Sequence, residues 1–256
     1  MSRTAALLRW PTTLLRWAAG VAVFAFMALC LLFIPLIARP RAWDGLAKFL
    51  CRLLVACFGL KVRVRGLEKL EGIGTCIIIC NHVNILDTFL LYGHIPLFFR
   101  GLDQAQHFSW PVWGWFSRRV GNISLDQGGG GRTAGGLRAA GKALAEGTSL
   151  LVFPEGHRTR DGEFLEFHRG AFRLAERHGV TILPIVQAGT WEVLRTGTKK
   201  GPASVKAGPV ELTVLEPWTA AARSGQDAAA VRDRLRDLMA GTYAESRARL
   251  AEDRRN

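Results

Sequence analysis

The 256-residue sequence lacks several patterns that would quickly define its class. Its five cysteines lie within apolar runs and show neither a CxxC pair nor any other metal-ligand spacing. We therefore predict reduced thiols that do not bind a metal and a domain that faces the cytoplasm. No GxGxxG or GxxxxGK[ST] motif is present, so the glycine run at residues 128–131 is a flexible loop and not a nucleotide-phosphate cradle.

Acidic residues are scarce as well. The sequence has 21 Asp and Glu against 34 Lys and Arg, a net charge of +13. Such an excess predicts attraction to an anionic partner: a membrane lipid, a phosphorylated substrate or nucleic acid. The basic residues cluster around apolar stretches, as at Arg16, Arg39 and Lys48, and they do not alternate with aromatic residues along a strand. This placement favours membrane lipids as partners and argues against nucleic acid.

One long uncharged run is present, at residues 17–37. About 21 residues of helix extend ~32 Å, enough for a hydrocarbon core of about 30 Å. A cleaved signal peptide fits poorly, because the run is long and is followed by Pro40 and Arg41 instead of a small-residue cleavage site. Pro35 and the basic residues on both flanks leave a spanning and a re-entrant helix both open.

The segment at residues 44–60 has apolar residues at helical spacing and Lys48 and Arg52 on the opposite face. It is an amphipathic helix that either packs on the following domain or lies among lipid headgroups. We predict three parts: a membrane anchor at residues 1–43, this interfacial helix at residues 44–60, and one α/β domain at residues 61–256.

Short apolar runs alternate with helical patterns in the third part. Strands are predicted at residues 61–65, 75–80, 97–100, 123–125, 149–153, 182–186 and 210–215, and helices at residues 133–146, 170–178 and 227–252. Strands alternating with helices predict an α/β fold with a mainly parallel sheet flanked by helices. Oligomeric state is not encoded in any pattern we find.

A histidine and an aspartate follow the buried strand that ends at Cys80. His82 lies where the chain leaves the sheet, the usual location of ligand sites in open α/β folds. A helix would place His82 and Asp87 on different faces, so the pair requires a loop at His82 and Asp87 at the first helical turn. Asp87 would then fix one imidazole nitrogen and leave the other as a base. A helix cap or a metal ligand are the alternative readings of these two residues.

A second polar turn follows the strand predicted at residues 149–153. It carries Glu155, Arg158 and Arg160. A guanidinium donates two parallel hydrogen bonds to a phosphate or carboxylate, and Glu155 could order that arginine or bind a hydroxyl. A solvated surface ion pair is the simpler alternative.

These residues resemble the glycerolipid acyltransferases, the family typified by lysophosphatidic acid acyltransferases. Four ordered blocks have counterparts here, at residues 81–87, 121–127, 153–158 and 180–186. The resemblance implies an O-acyltransferase in which His82 and Asp87 are the catalytic pair. Substrate binding is implied for Asn81, Asp126, Gln127, Phe153, Pro154, Glu155, Gly156, Arg158 and Pro184.

The implied reaction moves an acyl group from acyl-CoA or acyl-carrier protein, as co-substrate, to the hydroxyl of 1-acyl-sn-glycerol-3-phosphate. No metal or other cofactor is implied, because the thioester is already activated. Two positions depart from the family pattern: Gln127 replaces an arginine that contacts the acceptor phosphate, and His157 replaces a small residue. Another lysolipid, such as lyso-ornithine lipid, is therefore an alternative acceptor. A non-catalytic membrane-surface protein is the alternative from another class.

Overall fold

The fold centres on one β-sheet, seen in a computed structural model that describes residues 9–126, 130–194 and 205–255. The strands of this described part are β1 (Leu60–Arg65), β2 (Cys76–Cys80), β3 (Phe99–Gln104), β4 (Ile123–Leu125), β5 (Ser149–Val152), β6 (Thr181–Ala188) and β7 (Gly208–Val214). Their spatial order is β1-β7-β6-β2-β5-β3-β4, and neighbours are parallel except β6 and β7. The predicted α/β fold with a mainly parallel sheet is confirmed.

Helices cover both faces of this sheet. In the described ranges they are α1 (Arg9–Ile37), α2 (Asp44–Cys57), α3 (Asp87–His94), α4 (Pro111–Val120), α5 (Gly130–Ala145), α6 (Gly170–His178), α7 (Thr190–Val193) and α8 (Ala228–Asp253). Helices α1 to α4 contribute to the core on one face, and α5, α6 and α8 contribute to the core on the other.

Strand β2 is apolar at every position, and its place in the sheet explains why. Cys76, Ile78 and Cys80 belong to the core under α1 to α4, whereas Ile77 and Ile79 belong to the core under α5, α6 and α8. Successive side chains of a strand point to opposite faces, so a strand covered on both sides has no position for a polar residue.

Helix α1 packs on the rest of the fold. The Trp17 and Phe58 rings meet edge to face with centroids 5.1 Å apart, and the Phe24 and Phe116 rings lie 5.0 Å apart. A Cβ atom at Gly20 would lie 2.5 Å from the Phe58 ring, so a larger residue there would push the helix away. Within α1, residues 11–34 are long and apolar enough to span a membrane, judged by length and composition alone.

Several elements differ from the sequence prediction. Helix α5 begins at Gly130, within the glycine run that was predicted to be a flexible loop, and the short helix α7 was not predicted. Helix α2 ends at Cys57 instead of residue 60, because Gly59 has a φ of +76° and turns the chain into β1. Strand β3 runs from Phe99 to Gln104, later than the predicted 97–100. Helix α4 was not predicted, although Pro111 at its first turn and Gly121 at its end with a φ of +84° are typical helix limits.

Candidate active site

The sheet topology brings the two polar turns together. Strands β2 and β5 are parallel neighbours, with Ile79 opposite Val152, so the chain leaves both strands at the same edge. The loop after β2 carries His82, and the loop after β5 begins with Phe153. Their two rings stack with centroids 4.1 Å apart. The candidate site therefore lies at the carboxyl ends of adjacent parallel strands.

His82 and Asp87 form the predicted pair. His82 lies in the loop before α3, Asp87 is the first residue of α3, and Nδ1 of His82 lies 2.8 Å from Oδ2 of Asp87. The same carboxylate oxygen accepts the backbone N–H groups of Val83 at 2.6 Å and Asn84 at 2.8 Å. A carboxylate that accepts from Nδ1 fixes the proton there and leaves Nε2 with its lone pair.

Glu155 and Thr159 tie the two loops to each other. Glu155 accepts the backbone N–H of His82 at 3.2 Å, and the backbone N–H of Thr159 donates to the carbonyl of His82 at 3.0 Å. Both side chains are buried, whereas the intervening Arg158 is exposed. Arg158 and His82 line the same cleft.

Glu155 is a positioning group, since it contacts the backbone of His82 and lies beneath the loop. Burial is the main influence on this carboxyl and raises its pKa to about 8, against the opposing effect of the His82 and Leu165 N–H groups. The neutral acid is therefore the main form near pH 7. A neutral Glu155 adds no negative charge beneath the catalytic loop.

Two asparagines attach the loop after β2 to the neighbouring strand β6 and to the segment that follows it. The Asn81 amide donates to the Gln187 carbonyl at 3.0 Å and accepts the Gln187 N–H at 2.9 Å. The Asn84 amide donates to the carbonyls of Thr190 and Leu194 at 3.0 and 3.2 Å. Asn81 was predicted to bind substrate, and the structure places its side chain between strands. Asn84 was missed, because its partners are more than 100 residues away in sequence.

A cleft opens at the catalytic pair. Its volume is about 710 Å³, and His82, Phe153 and Arg158 all line it. Asp103 and His107, from the end of β3 and the short 3₁₀ helix after it, line the same cleft. The sequence analysis missed these two residues because it ended β3 too early. Their i, i+4 spacing directly after a strand was the available signal.

A second, apolar cavity of about 750 Å³ adjoins the cleft. It is enclosed by α1, α2, α3, α4 and β3, with mostly apolar side chains. Both cavities share the same five wall residues, which are Thr88, Gly101, Trp113, Asn122 and Leu151. An apolar space therefore begins where the catalytic cleft ends.

The remaining predicted residues lie in several places. Pro154 and Gly156 shape the turn after β5: the Pro154 carbonyl accepts the His168 N–H at 2.7 Å, and Gly156 has a φ of +71°. Asp126 follows β4, and its carbonyl accepts the Thr133 hydroxyl at 2.5 Å. Pro184 is buried within β6, opposite Ile79. Gln127 lies outside the described residues. The described ranges contain no cluster of three His, Cys, Asp or Glu side chains suited to a metal ion.

The fold and the site together define an acyltransferase. A family profile described as Acyltransferase matches residues 61–188, half of the chain, and the protein belongs to that family. The match begins with β1, ends with β6 and includes the loops after β2 and β5.

Relatives with known names share this region. The chain is 30% identical over 140 residues to a chloroplastic 1-acyl-sn-glycerol-3-phosphate acyltransferase of Arabidopsis thaliana, covering 54% of this chain and 39% of that protein. It is 31% identical over 166 residues to the lyso-ornithine lipid O-acyltransferase of Rhodobacter capsulatus, covering 62% of this chain and 58% of the relative. The matches thus span about two fifths to three fifths of these relatives.

A solved structure shares the whole fold. The 1-acyl-sn-glycerophosphate acyltransferase PlsC of Thermotoga maritima superposes with a TM-score of 0.78 at 21% identity, covering 94% of this chain and 96% of that one. The similarity extends over both N-terminal helices as well as the sheet, because the matched region is almost the entire chain.

Proposed function

We propose that this protein is a membrane-bound O-acyltransferase that converts 1-acyl-sn-glycerol-3-phosphate to phosphatidic acid, with acyl-CoA or acyl-carrier protein as donor. The observation that carries the proposal is the His82–Asp87 pair, whose Nε2 lies in a cleft that adjoins an apolar cavity. A base beside an apolar pocket suits a substrate with one reactive hydroxyl and a long chain. The relatives named for this reaction support the same conclusion.

The proposed reaction needs one base. Nε2 of His82 removes the proton of the acceptor hydroxyl, and the oxygen forms a bond with the thioester carbonyl carbon. The resulting tetrahedral oxyanion collapses, the carbon–sulfur bond breaks, and the thiolate takes the proton from His82. Asp87 stabilises the imidazolium between the two proton transfers. No metal or cofactor is needed, because the thioester is the activated group.

The apolar cavity is the proposed site of an acyl chain. Met27 and Leu31 of α1 and Leu50 of α2 form part of its wall, facing Phe89 of α3 and Phe116 of α4. Each methylene transferred from water to such a site contributes about 0.8 kcal/mol. A chain bound there would leave its carbonyl carbon near the shared wall residues and the catalytic cleft.

Exposed apolar side chains support the membrane location. Leu15 and Phe33 of α1 and Phe49 of α2 are more than half exposed, at 71%, 62% and 54%. Ile85, in the loop between His82 and Asp87, is 45% exposed. If these side chains face lipid, the lysolipid would reach His82 from the bilayer, with the domain on the cytoplasmic side.

The test is acyl transfer by the purified full-length protein in lipid vesicles. His82→Ala should lower kcat at least a hundredfold while membrane association and thermal unfolding stay unchanged. His178→Ala is the matched control, because His178 is exposed at the end of α6. Full turnover in the His82 variant would exclude this mechanism, and a wild-type protein with no transferase activity would favour the non-catalytic membrane-surface alternative.

Lyso-ornithine lipid is the second candidate acceptor. It is favoured by the Rhodobacter capsulatus relative and by Gln127, which offers a hydrogen bond but no positive charge to a headgroup. Competition between the two lysolipids at equal concentration would identify the preferred acceptor from the ratio of products. Preference for lyso-ornithine lipid by tenfold or more would replace the phosphatidic acid assignment.

A further inference from the structure

The catalytic cleft contains a second histidine–carboxylate pair. Nδ1 of His107 lies 2.6 Å from Oδ1 of Asp103, at the point where β3 continues into the 3₁₀ helix Ala105–Ser109. The other carboxylate oxygen of Asp103 accepts the indole N–H of Trp113 at 3.1 Å. The ring of Trp110 lies against His107 with centroids 4.7 Å apart. Asp103 is therefore fixed on both oxygens, and the imidazole is fixed by Asp103 and Trp110.

This pair faces the same space as the catalytic pair. His107 and Asp103 line the 710 Å³ cleft together with His82 and Arg158. The reason is topological: β3 pairs with β5 on the side away from β2, so the chain segments that follow all three strands meet at one edge. Both imidazoles use Nδ1 to contact a carboxylate. Across the described part of the chain, no hydrogen bond engages Nε2 of His107.

A second base has no place in the acyl transfer described above, because one proton is removed and the same proton is returned. When both of its nitrogens carry a proton, an imidazole held by a carboxylate is instead a strong hydrogen-bond donor from Nε2, and a bound anion favours that charged form. Arg158 supplies a second cationic donor to the cleft. A guanidinium and a protonated imidazole that line one cleft suit an anionic oxygen, such as that of a phosphate or a carboxylate.

We propose that His107, held by Asp103, donates from Nε2 to an anionic oxygen of the acceptor headgroup and so determines acceptor specificity. This inference rests on the proposed function, since it concerns the acceptor of the same reaction. Phosphate in lysophosphatidic acid and carboxylate in lyso-ornithine lipid share the required chemistry. A monoacylglycerol lacks it. His107 is a binding residue in this scheme, and Asp103 is a positioning residue that acts through it.

The decisive variant is His107→Leu, assayed with lysophosphatidic acid, lyso-ornithine lipid and monoacylglycerol carrying the same acyl chain. A lost charge-assisted hydrogen bond should raise the KM of at least one anionic acceptor about tenfold to a hundredfold. The kcat at saturation and the KM of the thioester should change less than about twofold. The ratio between the two anionic acceptors identifies whether phosphate or carboxylate is the natural partner.

Two further variants separate binding from structure. His107→Gln keeps a neutral donor and should recover part of the lost affinity. Asp103→Asn should raise the same KM by a smaller factor, with no additional effect in the double variant, because Asp103 acts only through His107. Gln106→Ala is the control: Gln106 is exposed on the same 3₁₀ helix and does not line the cleft, so its kinetics should match those of wild type.

Other outcomes overturn the inference. An equal loss on charged and uncharged acceptors would show that His107 only supports the fold of the cleft, and unchanged KM values would exclude any contact. If the wild-type protein acylates none of the three acceptors, the proposed function fails. Retention of radiolabelled lysophosphatidic acid and lyso-ornithine lipid by the detergent-solubilised protein then decides the inference: His107→Leu must weaken retention of one of them at least tenfold, or the inference fails too.

Discussion

Replacing Asp87 with asparagine separates the charge of this side chain from its geometry. Oδ2 of Asp87 accepts three hydrogen bonds, two of them from the backbone N–H groups of Val83 and Asn84. These fixed donors require an acceptor, so the asparagine carbonyl oxygen should occupy the same position and its NH₂ the other. Nδ1 of His82 would keep its acceptor, and Nε2 would remain the base. The negative charge is lost, and the NH₂ group takes the buried position of Oδ1, which has no hydrogen-bond partner among the described residues, so the variant should also lose some stability.

The expected loss of rate in Asp87→Asn follows from Coulomb's law. Opposite charges about 4 Å apart at an effective dielectric constant of about 20 attract by ~4 kcal/mol. Asp87 is fully buried, which keeps solvent from weakening this attraction. Losing it from the transition state corresponds to roughly a thousandfold in rate, and rearrangement of the site should reduce this to about 10²–10³ in kcat. The KM of both substrates should change little, because the charge acts mainly on the imidazolium.

The assay is release of the CoA thiol from an acyl-CoA, followed with a thiol reagent in the presence of lysophosphatidic acid. Asp87→Ala should be worse than Asp87→Asn, because it also leaves Nδ1 and two backbone N–H groups without an acceptor. Asp227→Asn is the control, since asparagine also caps a helix and Asp227 is the N-cap of α8. A loss below tenfold in Asp87→Asn, or equal losses in both Asp87 variants, would refute the reasoning.

Glu155→Gln should remove a pH dependence of stability. The pKa of Glu155 is raised from 4.5 to about 8, so its contribution is complete below pH 4.5 and is lost as the pH rises through 8. At pH 9 the variant should be more stable than wild type by roughly 2–4 kcal/mol in chemical unfolding. Glu211→Gln should instead lower the stability at neutral pH, where the ionised Glu211 contributes to it. Burial opposes ionisation of Glu211, but hydrogen bonds from Arg249, Arg65 and Ser246 lower its pKa to about 2. Its contribution is present above pH 4.5 and is lost as the pH falls towards 2. With the arginines partly exposed to solvent, the variant should lose about 1–2 kcal/mol at pH 7, and an unchanged unfolding curve would contradict the ion-pair argument. Ala47→Phe should fill part of the apolar cavity and shift the ratio of kcat/KM at least ~tenfold from hexadecanoyl-CoA towards dodecanoyl-CoA. Leu53→Phe, on the exposed side of the same helix, should leave this ratio unchanged.

Local sequence patterns predicted most of the fold because each pattern has a local cause. The unbroken apolar run before Asn81 specifies a strand buried on both faces, and the four residues between His82 and Asp87 specify a loop followed by a helix. The catalytic contact at 2.8 Å follows from that loop. These features depend on residues close in sequence, so no knowledge of the strand order was needed.

The second pair in the cleft could not be predicted in the same way. Asp103 and His107 reach the cleft only because β3 lies next to β5, and strand order is a property of the whole sheet. Asn81 shows the converse. Its position in a motif suggested substrate binding, but its bonds to Gln187 depend on β6, more than 100 residues later. Contacts between residues far apart in sequence thus explain why Asp103 and His107 were missed and why Asn81 has contacts that its motif did not indicate.

Helix α1 supplies one wall of the apolar cavity through Met27, Cys30, Leu31 and Ile34. Deleting residues 1–43 to obtain a soluble enzyme would therefore open the compartment proposed for the acyl chain. The truncated protein would keep the His82–Asp87 pair but would lose part of the surface that selects the chain. With α1 as the proposed membrane helix, attachment and chain selection would both depend on this one helix, so neither could be engineered without changing the other.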